Sequence, residues 1–234
     1  MALRRPFGGG APVDWLIVGL GNPGREHAGS RHNVGFKVAE SLAERWQLKG
    51  AKDRFNARLA EGRPPIEALP GGWASKSERP RVAVMCPQTY YNDSGRAVGP
   101  ARGSFKLPLD RVLVVHDEID LPFDEVRTRL GGGLAGNNGL KSIKRELGGA
   151  DFMRVRIGVG RPDSTDPEIV AAYVLGRFQE GEAEVARLVD HGREHVERAV
   201  LGLAEPAAGG AGEEARADRS SDATGGGMGE RTGA

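Results

Sequence analysis

The sequence predicts a single-domain α/β sandwich with a partly parallel sheet, and three observations carry that expectation. Short apolar runs bounded by glycine, proline or asparagine recur along the chain, as buried strands do. Between several of them, apolar residues return every three or four positions, the spacing of an amphipathic helix. The large apolar residues are also concentrated between positions 14 and 205. Glycine and proline make up about a fifth of the 234 residues (36 and 14), well above ordinary usage, and only 38% of the chain is hydrophobic. That thinness is uneven. Residues 206–234 hold eight glycines and no Val, Ile, Leu, Phe, Trp or Tyr, and residues 1–13 include the run Gly8-Gly9-Gly10. Neither end can bury enough apolar surface to offset the entropy of ordering it. The expected organisation is therefore a disordered extension over 1–13, one domain over 14–205, and a disordered tail over 206–234.

Within the domain the elements follow in order. Trp15–Leu20 is an apolar run that ends in Gly-Asn-Pro-Gly, a buried strand entering a turn. Val34, Val38, Leu42 and Trp46 recur at four-residue spacing with charges between them, predicting a helix. Arg81–Cys86 reads as a strand, 95–106 as a helix and Arg111–His116 as a further strand. Val126–Leu130 alternates, with Arg127 and Arg129 on one face, and Leu140, Ile143 and Leu147 suit a short helix. Phe152–Gly160 alternates again, with Met153, Val155, Ile157 and Val159 opposite Arg154 and Arg156. Helices over about 167–175 and 180–204 close the domain, and the Pro- and Gly-rich stretch 62–80 reads as a loop.

Several function classes drop out. No stretch approaches the roughly 20 apolar residues of a membrane-spanning helix, and the first residues lack the apolar centre of a secretory signal. Cys86 is the one cysteine, which excludes an intrachain disulfide and multi-cysteine zinc sites. The expected setting is reducing and cytoplasmic. A net charge of +1 announces no nucleic-acid binder, so any basic footprint has to be local.

Three motifs imitate known sites. Gly19-Leu-Gly21-Asn-Pro-Gly24 fits a dinucleotide fingerprint, but that motif needs a helix starting at its third glycine and an acid ending the next strand; here Glu40 and Glu44 fall inside a helix. A tight glycine turn exposing Asn22 is the better reading. Gly131–Gly136 repeats the pattern with as little support and reads as a loop that lets another chain approach its backbone. His191-Gly-Arg-Glu194-His195 spells a metalloprotease motif without a third ligand. No metal and no cofactor are expected.

The polar residues that interrupt apolar or turn-forming segments form a more coherent group. They are Asn22 after the first strand, His32 at a helix start, Asn92, Asp117 ending a strand, and Asn138. Strand ends are where open α/β sheets place their sites. With no Ser or Cys nucleophile in a recognisable elbow, His32 and Asp117 suggest general-base activation of water, the carboxylate holding one ring nitrogen while the other takes a proton. Asparagine amides both donate and accept, which suits holding a peptide backbone or polarising a carbonyl. Each residue also has a structural alternative, since asparagine is common in turns and Asp117 can cap the turn that follows it.

At these residues the chain resembles the bacterial peptidyl-tRNA hydrolase family over about residues 15–200. The matching strings are Val18-Gly-Leu-Gly-Asn-Pro-Gly24, Arg31-His-Asn-Val-Gly-Phe36, Pro87-Gln-Thr-Tyr90 with Asn92-Asp-Ser-Gly95, and His116-Asp-Glu-Ile-Asp-Leu-Pro122. They continue with Gly131-Gly-Gly133, Asn138-Gly-Leu-Lys141, Asp151-Phe152 and Arg156-Ile-Gly-Val-Gly-Arg-Pro162. The resemblance implies a twisted mixed sheet flanked by helices, a monomer, and metal-independent hydrolysis of the ester joining a peptide to the 3′ ribose of tRNA, which recycles tRNA from stalled translation. It assigns His32 as base, Asp117 as its orienting carboxylate, Asn22 to the substrate carbonyl or water, and Asn92 and Asn138 to the peptide. Arg129 and Arg156 match positions that hold the 5′-phosphate end of tRNA, with Lys141 beside them; a solvated strand face is the alternative for Arg127 and Arg154. Three positions depart from the family pattern. Tyr91 stands where methionine is usual, Asn137 where a histidine is usual, and Cys86 where lysine precedes Pro-Gln-Thr. Tyr91 and Asn137 fall in the substrate-binding set and leave open a second reading, an RNA-binding paralogue with weak catalysis.

Overall fold

A computed structural model describes residues 12–65 and 79–203. The expected tails, apart from residues 12 and 13, and most of the loop expected over 62–80 lie outside the described residues. Val13, assigned from sequence to the extension, is buried in the core, so the packed region begins before residue 14.

The central strand is β1 (Trp15–Gly19), buried along its whole length. It pairs in parallel with β4 (Val82–Pro87) on one side and with β5 (Val112–Glu118) on the other. Beyond β5 lies β7 (Met153–Gly158), again parallel, and the antiparallel edge strand β6 (Val126–Leu130). Beyond β4 the hairpin β2 (Lys49–Arg54) and β3 (Ala57–Gly62) extends the sheet in antiparallel fashion. The sheet is thus mixed, in the order β2-β3-β4-β1-β5-β7-β6 among the described residues.

Helices cover both faces. On one, α1 (Val34–Arg45) and α5 (Glu182–Leu201) pack against Ile17, Leu113, Val155 and Ile157. On the other, α2 (Gly95–Phe105) and α3 (Asn138–Leu147) pack against Leu16, Val18, Met85 and Val114. Odd and even positions of β1 therefore enter different cores, as the period-two geometry of a strand buried on both sides requires. The α1 stripe expected from sequence is in place: Val34, Val38, Leu42 and Trp46 are all buried. A glycine midway along α5, Gly192, sits where a Cβ would come within 2.8 Å of Ile157 and Val38, so it lets the helix lie close to the sheet. The last helix to name, α4 (Pro167–Leu175), opens with Pro167 and is capped by Asp166, whose carboxylate accepts the Glu168 N–H at 2.8 Å.

Two findings go beyond the sequence reading. The β2–β3 hairpin had no strand signal; its two-residue turn is Phe55-Asn56, both at positive φ, rather than the Asn-Gly or Asp-Gly that announces such a turn. The arginines of β6 and β7, placed from sequence only within each strand, share one face of the sheet, because Arg129 pairs with Arg154 and Arg127 with Arg156 across the antiparallel ladder.

Candidate active site

The carboxyl ends of β1, β4 and β5 converge on one side of the sheet, and β1 is the point from which neighbouring strands leave in opposite directions. A pocket of about 690 Å³ opens there, lined by Asn22, His32, Tyr91, Asn92, Asp117, Asn137 and Asn138 among others. Five separate segments contribute these side chains. The apolar face of α4, with Val170, Ala171 and Val174, forms a further wall.

His32 lies in the 3-10 turn Arg31–Asn33 that precedes α1. Both its neighbours fix that turn. Arg31 donates to the Arg177 carbonyl at 2.6 Å and stacks over Tyr173 at 4.1 Å. Asn33 clamps the Asn22 backbone, accepting its N–H at 2.8 Å and donating to its carbonyl at 2.9 Å. The His32 ring presents Nδ1 to Asp117 Oδ2 at 2.9 Å, an arrangement in which Nδ1–H donates and Nε2 is left toward the pocket. Side-chain exposure falls from 17% at His32 to 3% at Asp117, so the imidazole is reachable and the carboxylate behind it is not.

Burial alone pushes the Asp117 carboxyl up, but the His32 charge and the hydrogen bonds from His32 and Tyr91 outweigh it and hold the group below the usual carboxylate range. Its neighbour His116 is fully buried, absent from the pocket lining, and bonded through Nδ1 to the Asp117 carbonyl at 2.7 Å. Burial pulls His116 below the ordinary histidine value.

Asn22 is 7% exposed rather than displayed on an open glycine turn. Its Oδ1 accepts the Tyr91 N–H at 2.8 Å, which orients the amide and leaves Nδ2 as the group facing the pocket. Asn92 and Asn138 are exposed at the rim, each at the start of a helical segment. Asn137 caps α3, its Oδ1 accepting the Leu140 N–H at 3.0 Å, and its Nδ2 donates to the Tyr91 hydroxyl at 2.9 Å. Tyr91 itself is 3% exposed.

The basic residues sort differently. Arg129 and Lys141 are exposed and lie outside the pocket lining. Arg156 pairs through Nε with Glu118 Oε2 at 3.0 Å, leaving its terminal nitrogens. Arg154, at 2% exposure, is no solvated strand residue: it donates to the Gly133 carbonyl at 2.7 Å and to the Gly131 carbonyl, pinning the glycine loop that leads to Asn137. Arg127 is exposed and pairs with Glu125. The sequence reading missed Asn33 and Glu118, although both stand beside a chosen residue in the motifs that carried the resemblance. Nothing in the sequence pointed to the α4 wall.

The imitation motifs dissolve for physical reasons. Helix α1 starts at Val34, ten residues past Gly24, so the glycine turn does not run straight into a helix as the fingerprint requires. His191 Nδ1 lies 2.9 Å from Asp124, whereas His195 Nδ1 is bonded to Thr128 Oγ1 at 2.9 Å, so the two histidines have different partners.

A mixed sheet that brings a buried carboxylate against an accessible imidazole, beside amide groups in one pocket, has the make-up of a hydrolase site. Residues 16–211 match the peptidyl-tRNA hydrolase family, and the chain belongs to that family. It is 47% identical over 195 residues to the peptidyl-tRNA hydrolase of Anaeromyxobacter sp. (strain K), covering 81% of this chain and 92% of that one. The Mycobacterium avium (strain 104) enzyme is 43% identical over 195 residues, covering 82% and 94%. The crystal structure of peptidyl-tRNA hydrolase from Acinetobacter baumannii superposes with a TM-score of 0.67 at 34% identity, covering 82% of this chain and 92% of that chain. The protein is accordingly an ester hydrolase acting on peptidyl-tRNA. Among the described residues no helix is long and apolar enough to cross a membrane.

Proposed function

We propose that His32 is the general base that activates water against the ester joining the peptide to the 3′ ribose of tRNA. The observation that carries this reading is the one-sided occupation of the imidazole: Asp117 takes Nδ1, and Nε2 remains toward the pocket. Water oxygen attacks the ester carbonyl while Nε2 takes its proton; the resulting imidazolium is stabilised by Asp117 and returns the proton to the departing ribose oxygen. Asn22 Nδ2 donates to the carbonyl oxygen as it becomes an oxyanion, a role a neutral amide performs without a charge to desolvate.

Asn92 and Asn138 hold the peptide's own N–H and C=O at the rim. A free ammonium in their place would be desolvated with no counter-charge, which discriminates against unblocked aminoacyl-tRNA. Arg129, Lys141 and the free end of Arg156 contact tRNA phosphates, positioning the substrate without reading its sequence. The enzyme works as a cytoplasmic monomer that recycles tRNA from stalled translation. The weakly catalytic RNA-binding alternative drew on Tyr91 and Asn137; both are bonded into the His32–Asp117 network, and the relatives favour the hydrolase.

The test compares N-acetyl-aminoacyl-tRNA with unblocked aminoacyl-tRNA in the presence of a chelator. The wild type turns over the blocked substrate at an undiminished rate and spares the other. His32→Ala lowers kcat by about 10²–10⁴-fold while tRNA binding persists. Tight binding without turnover by the wild type would refute the assignment.

A further inference from the structure

Asp117 has two carboxylate oxygens, and the pair with His32 accounts for one. Oδ1 accepts the Tyr91 hydroxyl at 2.7 Å. Every bond in the chain beyond it has a determined direction. The Asn137 oxygen caps Leu140 N–H, so the amide nitrogen faces Tyr91 and donates to its oxygen. The phenolic proton then has Asp117 as its acceptor. Burial first, and the Asp117 charge second, push the phenol well above its ordinary value, so the proton stays on oxygen.

The same residue also holds the other partners. The Tyr91 ring stacks on the His32 imidazole with centroids 3.5 Å apart and planes 12° from parallel. Its backbone N–H orients the Asn22 amide. Gly139 makes the room, since a Cβ there would stand 2.5 Å from the Tyr91 ring.

We propose that Tyr91 is a positioning residue for the hydrolytic step. Its hydroxyl, held by Asn137, locks the Asp117 carboxylate in the plane that serves His32, and its ring sets the plane of the imidazole. The inference rests on His32 acting as base with Asp117 behind it. A carboxylate anchored at one oxygen turns easily about Cβ–Cγ, where the torsional wells are broad; the second anchor removes that freedom before substrate arrives. The proton and one lone pair of the hydroxyl are already taken within the protein, so the effect belongs to kcat rather than to substrate affinity.

The experiment uses the full chain and N-acetyl-aminoacyl-tRNA. Tyr91→Phe keeps the ring and loses the hydroxyl; Asn137→Asp keeps the oxygen that caps α3, loses the donor, and offers the hydroxyl a competing carboxylate. Tyr91→Phe is expected to lower kcat roughly 10-fold, with KM changed less than about 2-fold. Asn137→Asp moves kcat in the same direction, and the double variant falls no further than Tyr91→Phe alone, because both act through one hydroxyl. In proton NMR the downfield His32 Nδ1–H resonance shifts or broadens in Tyr91→Phe at a temperature where both proteins are folded. A raised KM at unchanged kcat would make Tyr91 a substrate contact and overturn the proposal. An unmoved resonance with unchanged kcat, or a multiplicative loss in the double variant, would overturn it too. The NMR comparison needs no substrate, so it separates failure of this network from failure of the hydrolytic reading, which shows as a wild type that binds without turnover.

Discussion

At the scale of single residues, burial decides how a side chain behaves. Cys86 replaces the lysine usual in the family, and its place on β4 puts it in the core. Burial pushes the thiol up to about 12, with Glu40 adding to the rise and Arg58 opposing it. Since the thiolate is the reactive form, native protein is expected to resist an aromatic disulfide reagent at pH 8 and to release one equivalent of chromophore only after denaturation. Reaction at the rate of a free thiol would contradict the burial. The site residues were legible in part. Asn22 and Asp117 stood out as polar residues at the ends of apolar runs, and His32 as a histidine at a helix start. The Tyr91 hydroxyl was not legible, because its bond to Asp117 joins positions 26 apart that meet only when β4 and β5 flank β1.

Elements meet here through backbone as much as through side chains. Helix α1 approaches β1 so closely that a Cβ on Gly35 would lie 2.4 Å from the Val115 carbonyl oxygen and 2.6 Å from the Leu20 backbone. The Phe36 N–H in turn donates to the Leu20 carbonyl at 3.1 Å, joining the helix start to the strand end. Gly35→Ala therefore has no flexible neighbour to displace. It is expected to cost about 3 kcal/mol and lower Tm by roughly 10 °C, and to reduce activity with it, since His32 sits just before this helix. A thermal melt within 2 °C of wild type would show that the contact relaxes at little cost. The long helices and central strands were visible as periodicity. The β2–β3 hairpin escaped because Lys49–Arg54 carries no apolar alternation and the turn places Phe55 at positive φ, a conformation its type rarely signals.

For the molecule as a whole, the buried Asp117 ties stability to pH. Its folded pKa lies below the unfolded value of about 4, so the unfolded chain binds the additional proton. The stability this contributes is complete above the ordinary carboxylate value and is lost as pH falls through the lower, folded value. Between pH 7 and pH 3, Asp117→Asn is therefore expected to show a shallower loss of Tm than wild type, although it starts lower because His32 and Tyr91 lose their charged acceptor. A steeper loss in the variant would reverse the sign. The other charged contacts of this end of the sheet, such as Arg156 with Glu118, remain in both proteins and cancel in the comparison.

By itself the sequence determined the class of fold and singled out the polar residues that the fold gathers at the strand ends, because alternation, helical spacing and glycine-bordered polar residues are local patterns. It also determined, through its motifs, the family to which the chain belongs. Only the tertiary structure decided what Tyr91, Asn137 and Arg154 do. The first two depart from the family pattern in sequence, yet in space they complete one hydrogen-bond chain to Asp117. Arg154 alternates like a surface residue, yet it is buried and holds the glycine loop by two carbonyls. The physical reason is common to all three: a polar group's role depends on which partner meets it when water is excluded, and that partner lies far away along the chain.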